Sequence, residues 1–181
     1  MKQFEFSIIA SGLDPNADDF ETLFYDAGCD DATVSFQKGH IIVDFARDAA
    51  SIDEAVASAI DNVCATGAKV DRVEPDPLVN LSDIAARTEL TRAAISNYAK
   101  GDRGKNFPAP VARVTSDTPL WDWSEVANWL VANKKLPVET AVAAGVVKEA
   151  NEAIEDGETN IGQRLKKRAD EDEASLGALA A

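Results

Sequence analysis

Cysteine and histidine are scarce: this chain of 181 residues has two cysteines, Cys29 and Cys64, and one histidine, His40. A zinc site needs about four nitrogen or sulfur ligands in clusters, so no metal site is expected. The two thiols lie far apart with no histidine nearby, and they read as reduced and mostly buried; His40, beside a hairpin turn, reads as structural or exposed. No apolar run approaches the roughly 20 residues that cross a bilayer. The opening MKQFEFSIIASGLDPN alternates like a strand and lacks the apolar core and cleavage site of a signal peptide. The expected compartment is therefore the cytoplasm, with no membrane partner. No glycine-rich phosphate cradle occurs, and no serine–histidine–aspartate arrangement suggests itself. Acidic neighbours such as Asp18-Asp19, Asp30-Asp31 and Asp53-Glu54 are adjacent in sequence, so they point to different faces and do not pair for acid–base work. No catalytic residue and no cofactor is expected; the chain does not read as an enzyme.

Basic charge is also in short supply. There are 18 Lys and Arg against 32 Asp and Glu, a net charge of −14, which at first argues against a polyanionic partner. The imbalance is local, however. Residues 1–78 hold five basic and 16 acidic side chains, residues 79–131 hold six of each, and residues 132–181 hold seven and ten. The acidity belongs mainly to the first segment, and the middle one is neutral.

What is present is a hydrophobic pattern that divides the chain. Phe4, Phe6 and Ile8 alternate with Glu5 and Ser7 over a strand from Lys2 to Ala10. Phe20, Leu23, Phe24 and Ala27 make one helical stripe, which Gly28 can stop. Thr33–Gln37 and His40–Phe45 form a hairpin about Lys38-Gly39. Ile52, Ala55, Val56, Ala59, Ile60 and Val63 make a second helical stripe, and Lys69–Glu74 returns as a strand. The order βαββαβ is that of a ferredoxin-like sandwich, expected over residues 1–75. Glu74-Pro75-Asp76-Pro77 reads as a linker. Residues 133–181 read as a C-terminal helical segment, beginning near Pro137 or Val138, with a frayed acidic tail. In that segment the run from Arg164 to Arg168 reads first as a solvated helix face and second as a phosphate contact. The fold class is thus α+β.

Between these lies the segment with most chemical content, residues 79–132. Ser82 reads as the N-cap of a short helix over Asp83–Arg87, and Thr91 as the start of a second, with Ala94, Ile95 and Tyr98 on its apolar side and Leu90 buried. Gly101 and Gly104 bracket the charged loop KGDRGKN. Phe107-Pro108-Ala109-Pro110 leads into a hairpin, Val111–Thr115 with Leu120–Trp123, and Ser124 reads as the cap of a closing helix. Three tryptophans in nine residues supply a core. The ordered set DIA, LTRAAISNY, FPAP, W-x-W and SEVANWL resembles the winged helix-turn-helix of the MerR and excisionase (AlpA-like) group over about 50 of the 181 residues. One departure is Glu89, at a turn position often filled by glycine; a left-handed backbone there would cost roughly 1–2 kcal/mol.

The resemblance implies binding to double-stranded DNA with the second helix in the major groove. That nominates Thr91, Arg92, Ala93, Ser96 and Asn97, with Arg92 suited to guanine and Asn97 to adenine. Ser82 and Thr91 suit phosphates; Lys100, Arg103 and Lys105, in the loop and wing, suit the DNA backbone or minor groove, and Arg113 is a weaker candidate. The function it implies is sequence-specific transcriptional regulation, as a repressor. One such module makes a small interface, so a homodimer on paired half-sites is expected. A small-molecule effector is conceivable for a ferredoxin-like domain, but no residue pattern indicates one. Two other readings stand beside this: an excisionase-like protein that bends DNA, and an acidic protein-interaction module whose helix-turn-helix no longer binds DNA.

Overall fold

The alternation of apolar and polar residues from Phe4 onward places β1 (Lys2–Ser11) at the centre of an antiparallel sheet. The protein, seen in a computed structural model that describes residues 1–158 and 160–181, is a mixed α+β fold with a four-stranded antiparallel sheet and several helices. It comprises two units, residues 1–75 with 146–170, and residues 76–145 with 171–181.

In the first unit, β1 is followed by α1 (Phe20–Asp26), β2 (Ala32–Gln37), β3 (His40–Ala49), α2 (Ile52–Ala65) and β4 (Lys69–Glu74). The strands lie in the order β2-β3-β1-β4. Register follows the pattern: Ile8 stands opposite Val43 on one side and Val73 on the other. All three are buried, with Phe24, Val56 and Val63 from the two helices. Lys38 and Gly39 both take positive φ (53° and 81°), the two-residue turn that matches strand twist.

One buried charge belongs to this core. Arg47, only 7% exposed, sends Nε and Nη2 to the two carboxylate oxygens of Asp31 at 2.8 and 2.9 Å. Nη2 also donates to the Gly28 carbonyl, and Nη1 donates to Ser58 Oγ and Asn62 Oδ1. All five guanidinium donors are thereby satisfied. The fork joins the α1–β2 loop to α2 across β3. Gly28 permits the approach: a Cβ there would sit 2.9 Å from the Asn62 amide nitrogen.

In the second unit, β5 (Leu78–Val79) pairs antiparallel with β6 (Trp121–Asp122). Between them come α3 (Leu81–Ala86) and α4 (Arg92–Lys100), and after them α5 (Trp123–Ala132). Val79, Ile84, Ile95, Trp123, Val126 and Leu130 are buried. Two helix starts differ from the sequence expectation. Asn80, not Ser82, caps α3: its side chain accepts from Asp83 N at 2.8 Å while Asp83 Oδ2 accepts from Asn80 N at 3.0 Å. Likewise Asp122, not Ser124, caps α5 by accepting from Glu125 N. A cap residue stands just before the first helical residue, where its side chain reaches the backbone N–H three residues on. Asn80 and Asp122 hold that place, whereas Ser82 and Ser124 already lie within the first turns of α3 and α5.

Two helices complete the chain, α6 (Val138–Glu155) and α7 (Gly162–Ala180). Helix α7 stands where a frayed tail was expected. Ile161, Leu165 and Ala169 are buried at four-residue intervals, and Leu176 is buried further on, so the acidic run ADEDEAS rides on a helix with an apolar stripe. In the first unit, Asn151 accepts from Val73 N at 2.7 Å and donates to Val73 O at 3.0 Å, closing part of the β4 edge as another strand would. Arg164 donates to Glu149, Asp156 and Glu158, and Arg168 also donates to Glu149. These two arginines serve the helix pair, and the phosphate role weighed for their run finds no support in that arrangement. Burial raises the Glu149 carboxyl pKa, but hydrogen bonds and charge from Arg164 and Arg168 outweigh it and hold the group below the usual carboxylate range. No helix among the described residues is long and apolar enough to cross a membrane.

Candidate nucleic-acid interface

Helix α4 starts where Thr91 Oγ1 accepts from Ala94 N at 3.1 Å and ends at Gly101, whose φ of 80° fits the left-handed stop that glycine allows. Ile95 and Tyr98 are its buried face. At 100° per residue the opposite face carries Arg92, Ser96 and Lys100 in one row, with Ala93 and Asn97 in the next. Thr91, Arg92, Ala93 and Lys100 are exposed, and Ser96 and Asn97 are half-buried. One outward surface of α4 therefore unites all five of its candidate residues, with Thr91 at its amino end.

The turn before it, Arg87 to Thr91, is held from within. Thr88 Oγ1 donates to Ile84 O at 2.9 Å and accepts from Leu90 N. Glu89 is exposed and is not among the described residues with positive φ, so the left-handed penalty does not arise. Leu90 is half-buried rather than buried. Arg87 is committed to structure: it donates to the Asp76 carbonyl at 2.8 Å and its guanidinium lies 5.5 Å from the Trp123 ring centroid. Ser82 is exposed in the first turn of α3, but the Asp83 carboxylate occupies that helix start.

The charged loop after α4 is braced, although its side chains are exposed. Asn97 O accepts from Asp102 N at 3.0 Å and from Arg103 N at 3.3 Å. Trp129 Nε1 donates to Lys105 O at 2.9 Å. Gly104, with φ of 69°, lies so close to the Trp129 ring that a Cβ would meet it at 2.8 Å. Behind it the rings of Tyr98, Phe107 and Trp129 pack together with centroids 5.0–6.3 Å apart, Tyr98 stacked on Phe107 and Trp129 edge-on to Phe107. Arg103 and Lys105 thus project from a backbone fixed to α4 and α5. The tryptophans were legible in the sequence as core, but not as clamps on this loop. The available signal was the indole N–H, which finds an acceptor when its ring packs into protein.

The expected hairpin is shorter than its sequence suggested. Val111–Thr115 does not form a strand: Ala112 makes an isolated bridge with Leu120, and only β6 is regular. Leu120 N donates to Ala112 O at 2.9 Å and Ala112 N to Leu120 O at 3.2 Å. Pro110 and the positive φ of Arg113 (51°) interrupt any longer ladder. The exposed Arg113 stands in the loop at the tip, apart in the chain from the α4 residues. Trp121 Nε1 donates to Pro108 O at 2.9 Å, tying the FPAP segment down.

Among the described residues, no group of three or more His, Cys, Asp or Glu side chains is placed to hold a metal ion. Burial pushes the Cys29 thiol up to about 11 despite the nearby Arg47 charge. No protein-family model, curated protein or solved structure matches the chain.

Proposed function

We propose that residues 79–132 are a winged helix-turn-helix by which this chain binds specific double-stranded DNA, and that the protein is a transcriptional repressor working as a homodimer. The first unit, with its βαββαβ order, is then a ferredoxin-like sandwich that brings two copies together. The observation that carries the reading is the outward face of α4. A helix capped at both ends buries Ile95 and Tyr98 and leaves Arg92, Ser96, Asn97 and Lys100 on the other side.

On this reading Arg92 forks onto guanine O6 and N7 and the Asn97 amide pairs with adenine, each worth about 1–3 kcal/mol of discrimination. Thr91 and the first amides of α4 approach a phosphate. Lys100, Arg103 and Lys105 follow the backbone and set register without reading sequence. The unit has no positive excess, so affinity rests on these few cations and on two copies. With about three phosphate contacts per copy, log K falls with log salt at a slope of about −5. Gel-shift titration across salt concentration measures that slope. A slope near zero, or no duplex bound at low salt, overturns the proposal and favours the protein-interaction reading.

A further inference from the structure

The two edges of the sheet are treated differently. Strand β4 carries Lys69, Asp71, Arg72 and Glu74 and takes the Asn151 amide on Val73. Strand β2, ATVSFQ, has no charge and no proline, and it pairs with β3 without a register shift. Charges, prolines and bulges are what normally keep sheet edges from pairing with another chain. Strand β2 has none of these, in a chain of net charge −14, and its edge is open to pairing with another strand.

The turn sets which backbone groups face outward. Lys38-Gly39 closes on the pair Gln37 and His40, so Gln37, Ser35 and Thr33 direct their N–H and C=O groups to β3. Consistent with that phase, Asp31 O accepts from Ala46 N at 3.0 Å. Val34 and Phe36 therefore point their backbone groups away from the sheet. Their side chains lie on the helix-facing side, where Phe36 is 47% and Tyr25 of α1 is 66% exposed. Beside them is an open cavity of about 460 Å³ lined by Phe24, Tyr25, Cys29, Ala32 and Val34 among others.

We propose that β2 is the homodimer interface: a second copy of this chain adds its β2 antiparallel, with the two-fold axis at Ser35. This rests on the homodimer part of the function proposed above and not on the DNA part. In that register Val34 stands opposite Phe36 of the second copy and the reverse, and the outward N–H and C=O groups of both residues are satisfied. Each Phe36 ring lies beside a Val34 at the mouth of the other copy's cavity. Lys38 falls opposite Ala32, next to Asp30 and Asp31 of the other copy, so the same two-fold creates two opposite-charge contacts. The self-complementary register and these charges select a second copy over an unrelated extended peptide.

Sedimentation equilibrium of the full chain without DNA tests the interface. Wild type is dimeric. Phe36→Lys is monomeric with an unchanged far-ultraviolet circular dichroism spectrum. Asp30→Lys and Lys38→Asp, each reversing a contact made twice, weaken the dimer by about tenfold, and the double reversal restores it. Monomeric wild type, a Phe36→Lys dimer as tight as wild type, or a double reversal without rescue overturns the proposal. In the second of these cases the homodimer stands and its interface is elsewhere. A dimer that follows this pattern but binds no DNA supports the interface and removes the DNA reading.

Discussion

Replacing Arg47 by methionine keeps the length of the side chain and removes the fork. It leaves the Asp31 carboxylate, the Gly28 carbonyl, Ser58 Oγ and Asn62 Oδ1 without the donors they have now. Removing one member of a buried ion pair costs about 3–5 kcal/mol, and each buried acceptor left unpaired costs about 1–3 kcal/mol. Asp31 keeps 29% of its side chain in water, which discounts the first term, so the expected loss is about 3–4 kcal/mol. With a urea slope of about 1.5–2 kcal/mol per molar for a domain of this size, the midpoint falls by about 2 M. Far-ultraviolet circular dichroism is the appropriate probe, because all three tryptophans, at 121, 123 and 129, belong to the other unit. In a double-mutant cycle with Asp31→Asn, a coupling of at least about 1 kcal/mol is expected. A loss below about 1 kcal/mol for Arg47→Met, or no coupling, would refute the view that this fork holds the α1–β2 loop to α2.

Further outcomes follow from single contacts. Gly104→Ala combines a left-handed backbone, about 1–2 kcal/mol, with a contact of 2.8 Å against the Trp129 ring; a loss of about 2–4 kcal/mol should appear in urea unfolding followed by tryptophan fluorescence. Glu149 has a folded pKa below its unfolded value of 4.5, so its stabilisation is present above pH 4.5 and is lost as pH falls through the folded value. Glu149→Gln should therefore lower the urea midpoint at pH 7 and converge with wild type as pH falls below the folded value. At pH 8 a thiol with a pKa of about 11 is ionised to about one part in a thousand. Timed labelling of the native protein with a thiol reagent should thus modify Cys64 first and Cys29 only after denaturant is added.

The elements with clean periodicity were legible in the sequence. The stripes at 20–27 and 52–63 are α1 and α2, and the turn at Lys38-Gly39 joins β2 to β3. Thr91 caps α4 as its hydroxyl suggests. What escaped was set by pairing over distance. Leu78–Val79, given no element in the sequence reading, becomes β5 because Trp121–Asp122 lies alongside it. Arg47, one charge in an alternating strand, gives no hint in sequence that Gly28, Asp31, Ser58 and Asn62 surround it. The tail of acidic residues was read by composition, which hid the stripe from Ile161 to Leu176. The caps of α3 and α5 were readable, since Asn80 with Asp83 and Asp122 with Glu125 have the spacing of a reciprocal cap. For the candidate interface, the spacing of Arg92, Ser96, Asn97 and Lys100 about a buried Ile95 and Tyr98 was legible, whereas the bracing of the loop by Trp129 was not.

Selection from random duplex DNA, run in parallel on the full chain and on Arg92→Ala, tests the central claim most directly. The account predicts a two-fold symmetric sequence whose half-sites are about one helical turn apart, or a multiple of it. The Arg92→Ala protein should lose preference at one guanine per half-site, by about 1–3 kcal/mol, and keep the rest of the motif. No enriched sequence, or the same motif recovered with equal affinity from both proteins, would contradict it.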